Sequence, residues 1–236
     1  MNDAATLGLD TATRATAVGL VSGATEAEAW DGAPPGERPG HATALLPLAA
    51  QLLAGAGLRW ADVGTIAVGL GPGSFTGLRI GVATARALAQ ATGATLTGVS
   101  TLRALAEAAL AALPGRPVLA IVDGGRGEVF AAGWSDGIEL LAARPVPTGE
   151  LARLVESLAE GWVAVGDGAP GLRHALAEIG AEVPVDDSQL HRVSGLAICR
   201  MEPAVTGRDN VVPDYLRVPD AELTRLARAD SGKQTS

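Results

Sequence analysis

Gly71-Pro72-Gly73-Ser74-Phe75-Thr76-Gly77-Leu78-Arg79-Ile80-Gly81 follows an unbroken apolar run at 65–70, and how this stretch is read decides the fold. The run reads as a strand buried on both faces. The glycine-rich loop 71–77 separates it from a helix expected over 78–92 that stops at Gly93. A strand at 95–99 and a helix at 101–113 follow, so the centre of the chain is a βαβα unit built on parallel strands.

Upstream, residues 6–10, 15–21 and 26–30 read as three short strands. A loop rich in proline and glycine at 32–40 follows them. Leu45, Leu46, Leu48, Leu52 and Leu53 then lie at helical spacing, predicting a helix over 41–53 with a broad apolar face. Pro47 is tolerable there if it lies in the helix's first turn.

After Pro114 the pattern restarts. Strands are expected at 118–123, 128–134 and 138–142, then a helix at 149–160, a strand at 163–166 and a helix at 171–179. Residues 188–202 read as helical and 211–217 as extended. Asp10 ends the first strand of one group and Asp123 the first strand of the other. Each group turns about a dozen residues later, at Ser22-Gly23 and at Ser135-Asp136-Gly137. This weak internal repeat predicts an α/β protein of two lobes, each a mixed sheet flanked by helices. By analogy that is the actin-like ATPase/ribonuclease-H-like (ASKHA) superfold. The expected division is an N-terminal lobe over 1–101, a C-terminal lobe over 102–217 and a partly disordered tail over 218–236.

Composition narrows the chemistry. The 236 residues are 47% hydrophobic, enough to bury a core, and carry a net charge of −8. A polyanion binder needs a basic surface, and four Trp, two Phe and one Tyr make a poor stacking platform, so tight tRNA binding by this chain alone is not expected. Only Lys233, in the polar segment 231–236, is a lysine, which removes P-loop, kinase and Schiff-base chemistry from the folded body. Cys199 is the sole cysteine and reads as a core thiol. The start of the chain lacks a basic signal region and no apolar stretch is long enough to span a bilayer, so a cytoplasmic protein without a membrane partner is expected.

ATPases of the superfold offer backbone N–H groups and Mg²⁺-directed carboxylates from facing turns. The candidates here are Asp10-Thr11-Ala12-Thr13, Asp123-Gly124-Gly125 and Gly166-Asp167-Gly168-Ala169. Each departs from what a phosphate needs: Ala12 carries a Cβ where close approach wants glycine, and Asp167 brings a negative charge. They read as vestigial nucleotide turns, with residual nucleotide contact as the alternative, and no cofactor is expected. The loop at 71–77 has two readings. Its N–H groups face an anion at the helix N-terminus, or its glycines serve a tight strand-to-helix turn. It is neither a P-loop nor a dinucleotide fingerprint, because Leu78-Arg79 replaces Lys-Ser/Thr and the glycine spacing is one residue too long. Ser74 is not in a hydrolase elbow.

The segment from Gly71 through Gly73, Ser74, Phe75, Thr76, Gly77 and Arg79 to Ala89 resembles the signature of the TsaB family of tRNA threonylcarbamoyladenosine biosynthesis proteins. Other stretches match in order: Leu9-Asp10-Thr11, His41 ahead of Leu45-Leu46-Pro47, Gly98-Val99-Ser100-Thr101-Leu102, Asp123 with Arg126-Gly127-Glu128-Val129-Phe130, Val165-Gly166-Asp167-Gly168, and Pro213-Asp214-Tyr215-Leu216-Arg217. The resemblance implies a non-catalytic partner of the related transferase TsaD, joined by a TsaE-type ATPase, in threonylcarbamoyl transfer to the adenosine beside the anticodon. TsaD binds metal through histidines one helical turn apart. Here His41 is followed by Leu45 at i+4, so the pair is missing and no metal is expected.

The surplus leucines predict a docking face on the first helix beside the helix at 78–92, its outer residues including some of Leu45, Leu48, Gln51 and Leu52, with Arg86 or Gln90 at the rim. The same face also suits a homodimer. The competing reading is an enzyme, an ATP-dependent phosphotransferase or M22-type peptidase-like protein working between Asp10 and Asp123.

Overall fold

A computed structural model describes residues 4–33 and 37–216. The three expected N-terminal strands form as β1 (Ala5–Asp10), β2 (Ala15–Ser22) and β3 (Thr25–Gly32), an antiparallel meander. Helix α1 (His41–Gly55) leads to β4 (Val63–Gly69), α2 (Phe75–Thr92), β5 (Thr95–Val99) and α3 (Thr101–Ala112). Strands β4 and β5 lie parallel to β1, giving the order β5-β4-β1-β2-β3.

The second half repeats this plan with one parallel strand fewer. Strands β6 (Val118–Gly125), β7 (Glu128–Ser135) and β8 (Ile138–Pro147) form the meander, and β9 (Val163–Val165) lies parallel to β6. The repeat extends to hydrogen bonds at the strand ends. Asp10 Oδ1 accepts from Ala12 N–H at 2.8 Å, and Asp123 Oδ1 accepts from Gly125 N–H at 2.8 Å.

Helix α3 is the spine. Leu102, Leu105 and Ala109 are buried together with Ala17 and Val99 of the first sheet and Val118, Ala120 and Val122 of the second. One outer core lies under α1 and α2 (Leu7, Leu9, Leu45, Leu53, Val82), the other under α4 (Thr148–Glu156) and α5 (Arg173–Ala177) (Ile121, Leu151, Trp162, Leu176). Helices, sheet, helices, sheet, helices is the layering of the actin-like/ribonuclease-H-like superfold.

Several boundaries differ from expectation. Helix α2 begins at Phe75 rather than 78, because the Ser74 hydroxyl accepts from Gly77 N–H and caps it. Pro47 lies six residues inside α1, not in its first turn, so Thr43 C=O lacks the usual donor. The edge strand β8 runs through Pro145 and Pro147, positions an edge tolerates because no neighbour needs their missing N–H. The segment 188–202 is not one helix. Ser188 and Ser194 each cap a new start, giving a 3₁₀ turn at Gln189–His191 and α6 (Gly195–Arg200).

Helix α6 and the short β10 (Val205–Thr206), both inside the span 102–217 expected for the second lobe, pack on the first sheet. The reason is glycine on glycine: Cβ atoms added at Gly19 or Gly195 would overlap the other residue's backbone, so only glycine permits that approach. Residues 218–236, where a tail was expected, lie outside the described residues, as does Arg217. Among the described residues no helix is long and apolar enough to cross a membrane.

Candidate functional site

The three turns converge where the lobes meet. Asp10 is fully buried, and its second oxygen accepts from the Thr101 hydroxyl at 2.7 Å. The same hydroxyl accepts from Gly71 N–H at 3.1 Å, tying β1, the signature loop and the start of α3 into one network. Both Asp10 oxygens thus point inward and neither faces a ligand. Burial pushes the Asp10 carboxyl up to about 6, against the opposing pull of the Thr101 and Ala12 hydrogen bonds.

A raised native-state value means that the folded chain holds this proton more tightly than the unfolded chain does. The associated stability is fully present below the ordinary aspartate value of 3.8 and is lost as pH rises through about 6. The amount is roughly 3 kcal/mol. Asp10→Asn is therefore expected to remove most of that loss between pH 4 and 7. The check is the difference between wild-type and variant denaturation curves across this range; parallel curves would contradict it. His41, whose imidazole burial lowers, works in the opposite direction and is common to both proteins.

The signature loop serves packing. Cβ atoms at Gly73, Gly77 and Gly81 would overlap Ala12 O, Thr11 O and Thr11 Oγ1 respectively. Thr11 Oγ1 donates to Gly77 O at 2.7 Å, and Ser74 N–H donates to Ala12 O at 2.7 Å. Of the two readings of this loop, the contacts at Gly73, Gly77 and Gly81 favour the tight strand-to-helix turn. Its Ser74 and Gly77 donors are spent on Ala12 O and the Ser74 cap, and α2 is seated directly on the first turn. Of the glycines at 71, 73 and 77, only Gly71 has a left-handed φ, of 112°.

Arg79 stacks on Phe75, with its guanidinium carbon 3.8 Å from the ring centroid, and donates to the Tyr215 hydroxyl at 3.2 Å. Phe75 and Tyr215 are themselves 5.0 Å apart between centroids, and Asp214 N–H donates to Leu70 O at 2.8 Å. The C-terminal Pro213-Asp214-Tyr215 stretch is thereby clasped to the signature segment. Thr76 is exposed at the same helix start.

The second turn is a tight hairpin, with Gly125, Arg126 and Gly127 all at positive φ and Gly124 close to Glu128 O. Asp123 is exposed and caps its own turn. In the third turn, Gly166 at φ 99° presses against Ile121 O, and Gly168 N–H donates to that oxygen at 3.2 Å. Between them, half-buried Asp167 accepts from Arg14 N–H at 3.1 Å and from Asp123 N–H at 3.0 Å. Burial holds its carboxyl above the ordinary aspartate value, against the opposing pull of the two amides. The Ala12, Arg14, Asp123, Gly125 and Gly168 amides and both Asp10 oxygens are thus engaged within the chain, an arrangement that does not match the open donors and carboxylates Mg²⁺-nucleotide needs.

His41 is buried at the start of α1, its Nδ1 2.9 Å from Thr16 Oγ1 and its Nε2 without a hydrogen-bond partner among the described residues. Among the described residues no three His, Cys, Asp or Glu groups gather as metal ligands. Cys199 is half-buried, and burial pushes its thiol up to about 12, which leaves it unreactive.

On α1, His41, Leu45, Ala49 and Leu53 form the stripe that faces the sheet. Leu45, expected on the docking face, is 1% exposed and belongs to the core, so that expectation is corrected. Leu46, which sequence reasoning did not place outermost, is 44% exposed. Leu48 and Leu52 are half-buried against the core, whereas Gln51 is exposed. On the adjacent α2, Gln90 is exposed and Arg86 lies 3.9 Å from Asp209.

The fold defines a member of the actin-like/ribonuclease-H-like superfold in which Asp167 of the third turn hydrogen-bonds the other two. The family described as TsaD, tRNA N6-adenosine threonylcarbamoyltransferase, matches residues 33–147. TsaB of Escherichia coli K12, a tRNA threonylcarbamoyladenosine biosynthesis protein, is 34% identical over 126 residues, 53% of each chain. Its namesake in Haemophilus influenzae is 36% identical over 89 residues, 38% of this chain and 36% of its own length. The chain spans about half the length of the curated relatives it matches. A Pseudomonas aeruginosa crystal structure described as similar to peptidase YeaZ superposes with TM-score 0.70 at 30% identity, covering 91% of this chain and 100% of that one. YeaZ from the same organism gives 0.68 at 28% identity, covering 90% and 99%. The chain belongs to the TsaB/YeaZ family.

Proposed function

We propose that this chain is a non-catalytic subunit in tRNA threonylcarbamoyladenosine biosynthesis that docks a TsaD-type transferase through the outer face of α1 beside α2, in an assembly completed by a TsaE-type ATPase. The observation that carries this reading is the chemistry of α1. Its 15 residues contain no Asp, Glu, Lys or Arg, and Leu46, Pro47, Ala50 and Gln51 face outward. A surface helix of a protein with net charge −8 normally carries charge on its solvent side, and one that does not has the composition of an interface. The names of the relatives supply the process, and the internally satisfied turns argue against a nucleotide reaction of its own.

Co-expression with a TsaD-type protein and size-exclusion chromatography test the proposal. The expected result is a stable heterodimer, while the chain alone neither turns over ATP nor binds tRNA beyond the weak non-specific level. Separate elution, or ATP turnover by the isolated chain that Asp10→Ala abolishes, would favour the enzyme reading. A homodimer that dissolves when the TsaD-type protein is added is consistent with one shared face.

A further inference from the structure

The Asp167 carboxylate hydrogen-bonds the backbone of both other turns. Arg14 N–H belongs to the turn between β1 and β2, and Asp123 N–H to the end of β6, so the two donors come from different lobes. The side chain's own loop is fixed from beneath. Gly168 N–H donates to Ile121 O at 3.2 Å, and His191 Nδ1 lies 3.1 Å from Gly166 O. A Cβ at Gly168 would stand 3.1 Å from the very Asp123 nitrogen that Asp167 binds, so glycine on either side lets the loop press close enough for the carboxylate to reach. An oxyanion held by backbone N–H groups from two facing turns is how such turns receive a phosphate edge. Here the oxyanion is covalently part of the chain.

We propose that Asp167 is a built-in anion that occupies the phosphate position between the two turns and latches the lobes together without a ligand. This deepens the non-catalytic reading above, on which it rests, by naming the group that closes the cleft. Removing the carboxylate leaves two amide donors, one on each lobe, facing an anion-sized gap. Small oxyanions should then enter where none enters the wild type, and should restore the lost link.

The test is thermal melting of wild type, Asp167→Ala and Asp167→Asn in formate, inorganic phosphate or pyrophosphate, against chloride at equal ionic strength. Asp167→Ala is expected to melt several degrees below wild type, and saturating oxyanion to recover at least about half of that loss. Asp167→Asn keeps one acceptor and should show a smaller loss and a smaller recovery; should the alanine variant not fold, its titration decides. Wild type should not respond. Three results would overturn the latch: unchanged melting of the variants, a loss that oxyanions do not recover beyond chloride, or an equal response in wild type. The two readings fail separately. Anion-blind variants that still pair with a TsaD-type protein end the latch alone, whereas ATP turnover by wild type ends the non-catalytic reading.

Discussion

Gly77→Ala is expected to destabilise the fold by on the order of 4 kcal/mol, far above the average single substitution. The added Cβ would overlap Thr11 O, a backbone atom that no rotamer change can move aside. Both partners are anchored. Thr11 Oγ1 donates to Gly77 O, and Ser74 N–H donates to Ala12 O, so retreat of α2 from the first turn breaks both bonds and opens the core around Val82 and Ala85. Gly149→Ala in the first turn of α4 is the control. Nothing lies within 4 Å of a Cβ there, and alanine is the better helix former, so a neutral or slightly stabilising effect is expected. Urea denaturation of the two variants checks the contrast. A Gly77→Ala protein within about 1 kcal/mol of wild type would show that the α2 contact yields.

That contrast also marks where the sequence stops being informative. Glycines at 71, 73, 77 and 81 are plain to read, but the letter is the same whether the backbone needs φ > 0 or a neighbour needs the space. Gly71 is the first case and Gly73, Gly77 and Gly81 are the second, and only the position of Thr11 and Ala12 separates them. The strand groups were legible because Leu7, Leu9, Ile66 and Val68, like Leu119 and Ile121, are buried in runs that alternate or continue as strands do. The repeat was legible in Asp10 and Asp123, and the matching Asp-to-amide bonds at 2.8 Å give it a physical basis.

Long-range partners left no such signal. Thr101 lies 91 residues from the carboxylate it serves, and Asp167 reads as a misplaced charge until Arg14, 153 residues away, is seen to donate to it. The segment 188–202 hid a break because Ser194 is as good a cap as it is a loop residue. On α1 the abundance of leucine was itself the obstacle. With five leucines at helical spacing the apolar stripe is too broad to orient, and the helix turned out to rest on Leu45 and Leu53, leaving Leu46 outside.

That orientation determines how the docking proposal is to be tested. Leu46→Glu is expected to weaken pairing with a TsaD-type subunit at least about 100-fold, roughly 3 kcal/mol, and to leave melting unchanged. Leu46 is 44% exposed in the chain alone, so a glutamate there stays hydrated and costs the monomer little. At the centre of an interface the same carboxylate must shed its water against Pro47, Ala50 and whatever apolar side chain the partner brings. Leu48→Glu and Leu52→Glu are poorer probes, because both residues pack against the core and their loss confounds folding with binding. Ala50→Arg, one turn from Leu46 and also exposed, supplies the second measurement with the opposite charge. If desolvation is the cause, both signs of charge weaken pairing alike. If long-range attraction or repulsion dominates, the two variants shift affinity in opposite directions and the effect fades with salt. Wild-type affinity in both variants, with normal melting, would move the docking surface off this face of α1.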